Sequence, residues 1–132
     1  MSGKRVVVTG ANSGIGWSTA CALAEMGAEL VLVCRSKPKG LEAIDRIKTV
    51  KPDAAISLFR CDLSSQEEIQ TLCGQLRNAY EQIDVLVNNA GVYLAEKRET
   101  RDGLEQTFAV NHMAYFLMCR GLLSCLKAAR SG

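Results

Sequence analysis

The sequence predicts an α/β fold: a doubly wound, parallel sheet with helices on both faces. Apolar, β-branched runs alternate with segments of helical periodicity, and this is the pattern of consecutive βαβ units. The runs are almost continuously apolar, as in strands that a parallel sheet buries on both faces. Right-handed crossovers and a chain reversal at the first strand give the expected strand order 3-2-1-4. The predicted strands are residues 4–9, 29–34, 54–60 and 83–87.

Local signals bound the first two helices. Residues 13–26 are rich in small side chains, and Gly27 follows them; glycine suits the left-handed position just past a helix. Pro38 suits the first turn of the second helix because its fixed φ is already helical, and Pro52 ends that helix. Both helices are therefore predicted to be short crossovers between neighbouring strands.

The second half of the chain continues the alternation. Ser64 and Glu67 have the spacing of a capping box and predict the start of a third helix. Residues 88–98 are predicted to form a loop, and residues 102–127 one long, apolar helix. No repeat or linker divides the chain, so we expect a single domain or a part of one.

Composition excludes several classes of protein. The 132 residues are 48% hydrophobic and 23% charged, with a formal net charge of +2, so neither nucleic acid nor an anionic membrane is an expected partner. No apolar run is long enough for a transmembrane segment, and the first strand leaves no room for a signal peptide. The six cysteines lack metal-binding spacing. We expect free thiols in a reduced, cytoplasmic protein without a bound metal.

A glycine-rich turn joins the first strand to the first helix. Glycine is needed where the chain turns tightly and where an anion approaches the backbone closely. The amides that open the following helix have no partner within it and, with the helix dipole, favour an anion. The turn predicts a diphosphate site, although tight turns before helices often contain glycine without binding anything. Its candidate residues are Gly10, Asn12, Ser13, Gly14, Ile15 and Gly16.

The ends of the second and third strands carry further candidates, because ligands of open α/β sheets bind beyond the carboxyl ends of the strands. Arg35 lies nineteen positions after Gly16. An acidic residue there would accept from a ribose 2′-hydroxyl, whereas arginine can pair a 2′-phosphate, so Arg35 favours NADP over NAD. The alternative is a solvated arginine at a strand end. Asp62 and Leu63, at the third strand, are by themselves a turn carboxylate and a core leucine.

The fourth strand is followed directly by Asn88, Asn89, Ala90 and Gly91, a turn whose side-chain amides can brace the central sheet. This tetrapeptide, with the spacing Thr-Gly-x-x-x-Gly-x-Gly from Thr9 onward, resembles the short-chain dehydrogenase/reductase family. The resemblance covers essentially the whole chain and implies a Rossmann-type domain. Residues 102–112 further resemble the retinol-dehydrogenase-like and related reductase branch of that family.

The resemblance implies roles for residues that the pattern alone leaves open. Asp62 would accept from the adenine amino group, and Leu63 would pack on the ring. Asn111 would be the asparagine of a catalytic Asn-Ser-Tyr-Lys set, holding a water in a proton relay; the alternative is a helix-interior asparagine that caps a local distortion. His112, the only histidine, is a candidate base but is expected to point away and pack against the domain.

The chain departs from the family at its end. The family's serine and Tyr-x-x-x-Lys pair lie beyond residue 132, so we expect a C-terminally truncated, cofactor-binding part. Tyr93 and Lys97 have the Tyr-x-x-x-Lys spacing but fall in the predicted loop. Ser124 falls inside an apolar helix and does not replace the serine.

The expected function is that of an NADP-dependent oxidoreductase, which transfers a hydride between nicotinamide and a carbonyl or alcohol substrate. The expected partners are the dinucleotide and, in the full-length family member, the small substrate. The family commonly forms dimers through the long helix and the next one, so a homodimer is one expected assembly. The alternatives are a non-catalytic dinucleotide-binding or protein-interaction module and a fragment that does not fold stably.

Overall fold

Four parallel strands form the centre of the protein, for which a computed structural model describes residues 1–129. They are β1 (Arg5–Thr9), β2 (Glu29–Cys34), β3 (Ile56–Arg60) and β4 (Val85–Val87). The sheet order is β3-β2-β1-β4, and every pairing is parallel. The predicted doubly wound sheet with strand order 3-2-1-4 is therefore confirmed.

Helices cover both faces of this sheet. They are α1 (Gly14–Glu25), α2 (Lys37–Val50), α3 (Gln66–Ala79), the single turn α4 (Gln106–Phe108), a π-helical turn (Ala109–Met113) and α5 (Ala114–Ala128). Ser36 caps α2, whose first turn contains Pro38, and Gly27 has a φ of +79° just past α1. The predicted signals for these two helices are confirmed. Within residues 1–129, every helix is too short or too polar to cross a bilayer.

The side chains of each strand alternate between two cores, because successive residues of a strand point to opposite faces. Val6 and Val8 lie in a core with residues of α1 and α2, including Ala20 and Ile47. Val7, between them, lies in the other core with residues of α3 and α5. Burial on both faces explains why β1 and β2 are apolar almost throughout.

Two strands begin two residues later than predicted. β3 begins at Ile56 rather than at residue 54, because the Ala54 amide donates to the Lys51 carbonyl (3.1 Å) in the turn after α2. β4 begins at Val85 rather than at residue 83. Ile83 is buried, but its amide donates to the Cys125 carbonyl (3.1 Å) near the end of α5. Hydrogen bonding to neighbouring elements thus removes both positions from the sheet ladder.

The predicted capping box at Ser64 and Glu67 is wrong by one residue. Ser65 is the N-cap of α3, and its hydroxyl accepts from the Glu68 amide (3.3 Å). The Ser64 hydroxyl instead donates to the carboxylate of Asp62 (2.8 Å). Two adjacent serines and two adjacent glutamates allow either register, and the path of the turn after β3 selects the second.

The predicted long helix begins later than residue 102 and is not uniform. Thr100 Oγ1 accepts from the amides of Asp102 and Leu104 (both 3.3 Å), which holds this segment in a turn. The helix starts after Glu105, whose carboxylate accepts from the Thr107 and Phe108 amides (2.8 and 2.7 Å). A π-helical turn then separates α4 from α5.

An ion-pair cluster closes the amino ends of the strands, on the side opposite the candidate site. The Asp84 carboxylate accepts from the Arg5 amide (2.8 Å) and from Lys4 Nζ (3.0 Å). The hydrogen bond from the Arg5 amide, followed by that from Lys4, holds the pKa of Asp84 below its usual value. The Arg5 guanidinium pairs with both carboxylate oxygens of Glu29 (3.0 and 2.8 Å) and lies 4.3 Å from the ring centroid of Tyr80.

Candidate functional site

A cavity of about 390 Å³ opens at the carboxyl ends of the strands. Four segments that are far apart in sequence meet there: the turn after β1 and the residues that follow β2, β3 and β4. The predicted site residues among its lining are Gly10, Asn12, Ser13, Ile15, Gly16, Arg35, Asp62, Leu63, Asn89, Ala90 and Gly91. The predicted convergence of these segments is therefore observed.

The glycine turn packs against the turn after β4 with no space for a side chain. Gly10 has a φ of +66°, and a Cβ there would lie 2.8 Å from the Cα of Ala90. A Cβ on Gly16 would collide with the Gly10 carbonyl and with the side-chain amide of Asn89. These two glycines allow the first turn of α1 to lie directly against the ends of β1 and β4.

The first turn of α1 offers uncapped backbone amides to the cavity. Its N-cap residue, Ser13, makes no side-chain hydrogen bond to the helix, and the first turn contains no acidic residue. By contrast, Ser36 and Ser65 accept hydrogen bonds from the amides that open α2 and α3. An anion at the first turn of α1 would meet free N–H donors and the positive end of the helix dipole.

Thr9 and Asn89 tie the ends of β1 and β4 together. Thr9 Oγ1, fully buried, accepts from the amides of Asn89 (3.0 Å) and Ala90 (3.1 Å) and donates to the Val87 carbonyl (3.3 Å). Asn89 Nδ2 donates to the Thr9 carbonyl (2.9 Å). The prediction that an amide of this turn braces the sheet is confirmed for Asn89.

Asn88 and Gly14 were predicted to bind the cofactor, but the structure places both outside the cavity lining. Asn88 Nδ2 donates to the Cys119 sulfur of α5 (3.3 Å). Because Asn88 and Asn89 are consecutive after a strand, their side chains leave in different directions. Gly14 is the first residue of α1, and a Cβ there would meet no atom within 4 Å, so it lies on the open side of the turn. Neither position tests a contact with a cofactor, so both contacts stay predictions.

Among the described residues, the site contains one cation, Arg35, which follows β2, and one carboxylate, Asp62, which follows β3. The salt bridges within residues 1–129 leave Arg35 unpaired. Asp62 Oδ1 accepts from the Ser64 amide (2.9 Å) and hydroxyl (2.8 Å). Burial would by itself raise the pKa of Asp62, but these two hydrogen bonds and the charges of Arg35 and Arg60 hold it below its usual value. Asp62 is therefore an anionic acceptor at neutral pH.

Asn111 lies in the π-helical turn and is exposed rather than buried. Its side chain bonds to the loop after β4 instead of to its own helix: Oδ1 accepts from the Val92 amide and Nδ2 donates to the Val92 carbonyl, both at 2.8 Å. The Tyr115 hydroxyl donates to the Ala90 carbonyl (2.7 Å). A local helix distortion at Asn111, one of the two interpretations of the sequence, is therefore present.

Several residues that line the cavity carry no signal that predicts a site. Val92, Gln106 and Val110 form one wall, and Val33 and Cys61 lie at strand ends beside Arg35 and Asp62. The i, i+4 spacing of Gln106 and Val110 could have indicated a shared face next to Asn111. No sequence signal marks Val92, because the loop brings it to the cavity.

The remaining candidates lie outside the lining of the cavity. His112 is exposed and stacks on the ring of Phe108, with 5.2 Å between the ring centroids; it points away as predicted but packs on a surface side chain. Tyr93 is 89% exposed, and residues 93–97 are not helical, so its spacing to Lys97 does not create a shared helical face. Ser124 lies on α5, in a separate groove beside α3.

A family model described as "short chain dehydrogenase" matches residues 4–132. The chain belongs to this family. Mouse retinol dehydrogenase 14 is 35% identical over 139 residues, which cover 98% of this chain and 42% of that protein. Human retinol dehydrogenase 13 is 39% identical over 127 residues, covering 96% of this chain and 38% of that protein. The predicted resemblance to the retinol-dehydrogenase-like branch is confirmed.

A solved structure supports the same family membership. A metagenomic short-chain oxidoreductase in complex with NADP superposes with a TM-score of 0.85 and 32% identity, over 100% of this chain and 60% of that one. The chain spans about two fifths of the length of the retinol dehydrogenases that it matches. The four segments at its cavity lie within the residues that the family model matches.

Proposed function

We propose that residues 1–132 are the NADP-binding part of a short-chain oxidoreductase, without the serine and Tyr-x-x-x-Lys half of the family domain. The complete enzyme would act on a carbonyl or alcohol substrate. The observation that carries the proposal is the convergence of an uncapped helix N-terminus, an unpaired arginine and an anionic carboxylate on one cavity. The NADP complex of the metagenomic relative supports it.

The residues present fit a dinucleotide. The diphosphate would lie at the first turn of α1, which Gly10 and Gly16 allow to pack against the ends of β1 and β4. The free amides of Ser13 and Ile15 would donate to it. Asn12 lines the same turn. At the other end, Leu63 would pack on the adenine and Asp62 would accept from its amino group. The 2′-phosphate of NADP would pair with Arg35, for which the guanidinium offers two N–H groups.

The nicotinamide would supply the hydride chemistry when the cofactor is bound. What this chain contributes there is a rigid support. Asn89 ties the turn after β4 to β1, while Asn111 and Tyr115 hold the same turn from the helical side. We propose that Ala90 and Gly91 give the cofactor close access to the backbone. Asn111 would, in addition, hold a water of the proton relay in the complete enzyme.

The first test is a titration of the purified chain with NADPH and with NADH, followed by the fluorescence of Trp17, which directly follows Gly16 in α1 and is the only tryptophan. We expect saturable binding with a clear preference for NADPH. A chain that circular dichroism shows to be folded but that binds neither nucleotide would refute the proposal and favour a protein-interaction module. Binding without preference would refute only the choice of NADP.

The finer assignments of compartment and assembly are also proposals. The six cysteines are free thiols, which supports a reduced, cytoplasmic environment. Phe116 and Leu123 of α5 are about half exposed, which supports a homodimer contact on this helix. Cell fractionation tests the first, and sedimentation of wild type against Leu123→Lys tests the second. A monomeric wild type would exclude the dimer.

A further inference from the structure

The carboxylate of Glu68, which lies outside the cavity lining, is hydrogen bonded to the main chain of Asp62. Glu68 lies in the first turn of α3 and is outside the cavity lining. Its Oε2 accepts from the Asp62 amide at 2.8 Å and from Arg60 Nη1 at 3.1 Å. The Glu68 side chain is 25% exposed. A charged acceptor at this distance makes a stronger hydrogen bond to an amide than a neutral one would.

Glu68 is free to do this because it is not needed in a capping box. In a capping box the third helical residue accepts from the amide of the N-cap residue. Here the amide of the N-cap, Ser65, donates to the Asp62 carbonyl (3.1 Å). The Ser65 hydroxyl accepts from the Glu68 amide (3.3 Å) and so holds the main chain of Glu68 at the start of α3. The first turn of α3 therefore holds both the N–H and the C=O of Asp62.

The consequence appears at the carboxylate of Asp62. Its Oδ1 is used by the amide and hydroxyl of Ser64. Its Oδ2 makes no hydrogen bond within the described part of the chain, although Asp62 lines the cavity. The main-chain bond to Glu68 and the side-chain bonds to Ser64 together leave one acceptor of defined position at the cavity wall.

We propose that Glu68 is a positioning residue for the nucleotide base: by holding the Asp62 main chain, it keeps the free carboxylate oxygen available to the 6-amino group of adenine. This inference rests on the proposed function of the cavity. An acceptor at this position favours a base with a 6-amino donor and disfavours one with a 6-oxo acceptor. Loosening the Asp62 main chain should weaken that discrimination more than it weakens binding of the rest of the dinucleotide.

The test compares NADPH with its hypoxanthine analogue, which carries a 6-oxo group. We expect wild type to prefer NADPH by about tenfold, the effect of one hydrogen bond to a charged acceptor. Glu68→Ala should lower this ratio by about threefold or more, since Asp62 loses its main-chain support. Glu68→Gln should retain most of it because the amide oxygen can still accept from the Asp62 N–H. Glu67→Ala is the matched control: Glu67 is adjacent, more exposed, and pairs only distantly with Arg101 (3.7 Å).

Each outcome decides the inference. A Glu68→Ala protein with the discrimination ratio of Glu67→Ala, or with equal losses for both nucleotides, would overturn it. If Glu68→Ala does not fold, Glu68→Asp replaces it: it keeps the charge but is one methylene too short for the Asp62 amide, and the same lower ratio is expected. A wild type that binds both nucleotides equally overturns this inference and leaves the proposed function standing. A wild type that binds neither overturns both.

Discussion

The side chain of Asn111 is hydrogen bonded to both polar groups of Val92, nineteen positions earlier, with two bonds of 2.8 Å. This pair joins the π-helical turn to the loop after β4, and Val92 is itself part of the cavity wall. The helix distortion and the position of the loop are therefore parts of one arrangement. A π-helical turn inside an α-helix is a common feature of functional sites.

Asn111→Ala should lower the free energy of unfolding by about 1–2 kcal/mol, because two hydrogen bonds at a partly solvated position are lost. It should also weaken NADPH binding, since Val92 is no longer held. Urea denaturation and the Trp17 titration measure the two effects. Asn78→Ala, an exposed asparagine of α3, is the control and should change neither. An Asn111→Ala protein with wild-type stability would contradict a stabilising role for the hydrogen bonds between Asn111 and Val92.

Two helical glycines should respond oppositely to alanine. Gly16→Ala places a Cβ against the Gly10 carbonyl and the Asn89 amide. We expect it to destabilise the fold by about 2 kcal/mol or more and to abolish nucleotide binding. Gly74→Ala, in α3, places a Cβ in open space and should stabilise the fold by about 0.5–1 kcal/mol through the higher helix propensity of alanine. Thermal unfolding of both variants checks the prediction, which fails if they shift the same way.

Arg35→Asp should reverse the preference between the two nucleotides. The carboxylate would repel a 2′-phosphate and could accept from a free 2′-hydroxyl. We expect the NADPH affinity to fall by about tenfold or more while NADH affinity holds or rises, the effect expected for loss of a charged hydrogen bond. Lys97→Asp makes the same change of charge in an exposed loop and therefore controls for the change in net charge. An unchanged ratio in Arg35→Asp would refute the assigned contact.

Asp84 should make the fold sensitive to acid. Its pKa is lowered in the folded protein by the Arg5 amide and Lys4. The stabilisation is therefore complete above the unfolded pKa of about 4 and is lost as the pH falls through the folded value. Asp84→Asn should lower stability at pH 7 by about 1 kcal/mol, after discounting for the partly exposed Lys4. Its stability should also fall less steeply than that of wild type below about pH 5. Asp45→Asn, an exposed control on α2, should follow the wild-type curve.

Local sequence patterns were sufficient to predict much of this fold. The continuous apolar runs predicted a parallel sheet with helices on both faces, and the strand order followed from the handedness of the crossovers. Gly27 and Pro38 marked helix ends correctly because their effects depend on φ alone. The meeting of Arg35, Asp62 and the two turns also followed, since the carboxyl ends of parallel strands share one edge.

Other features depend on contacts between segments that are distant in sequence. Whether Ser64 or Ser65 caps α3 depends on the turn at Asp62. The start of β4 depends on α5, because the Ile83 amide donates to a carbonyl of that helix. No local pattern separates Asn88 from Asn89. In the structure Asn89 donates to Thr9, whereas Asn88 donates to Cys119. The start of the last helix and its π-helical turn depend in the same way on Glu105 and Val92.

The features that the sequence predicted differ from those that it did not predict in the range of the forces that determine them. Backbone propensity and burial act through neighbours in sequence, so residue types alone determine which segments become strands or helices and which edge of the sheet carries the cavity. The hydrogen-bond partners of polar side chains depend on the folded chain, because they are the donors and acceptors that lie within about 3 Å. The roles of Asn111, Glu68 and Asn88 belong to this second kind, and only the tertiary structure assigns them.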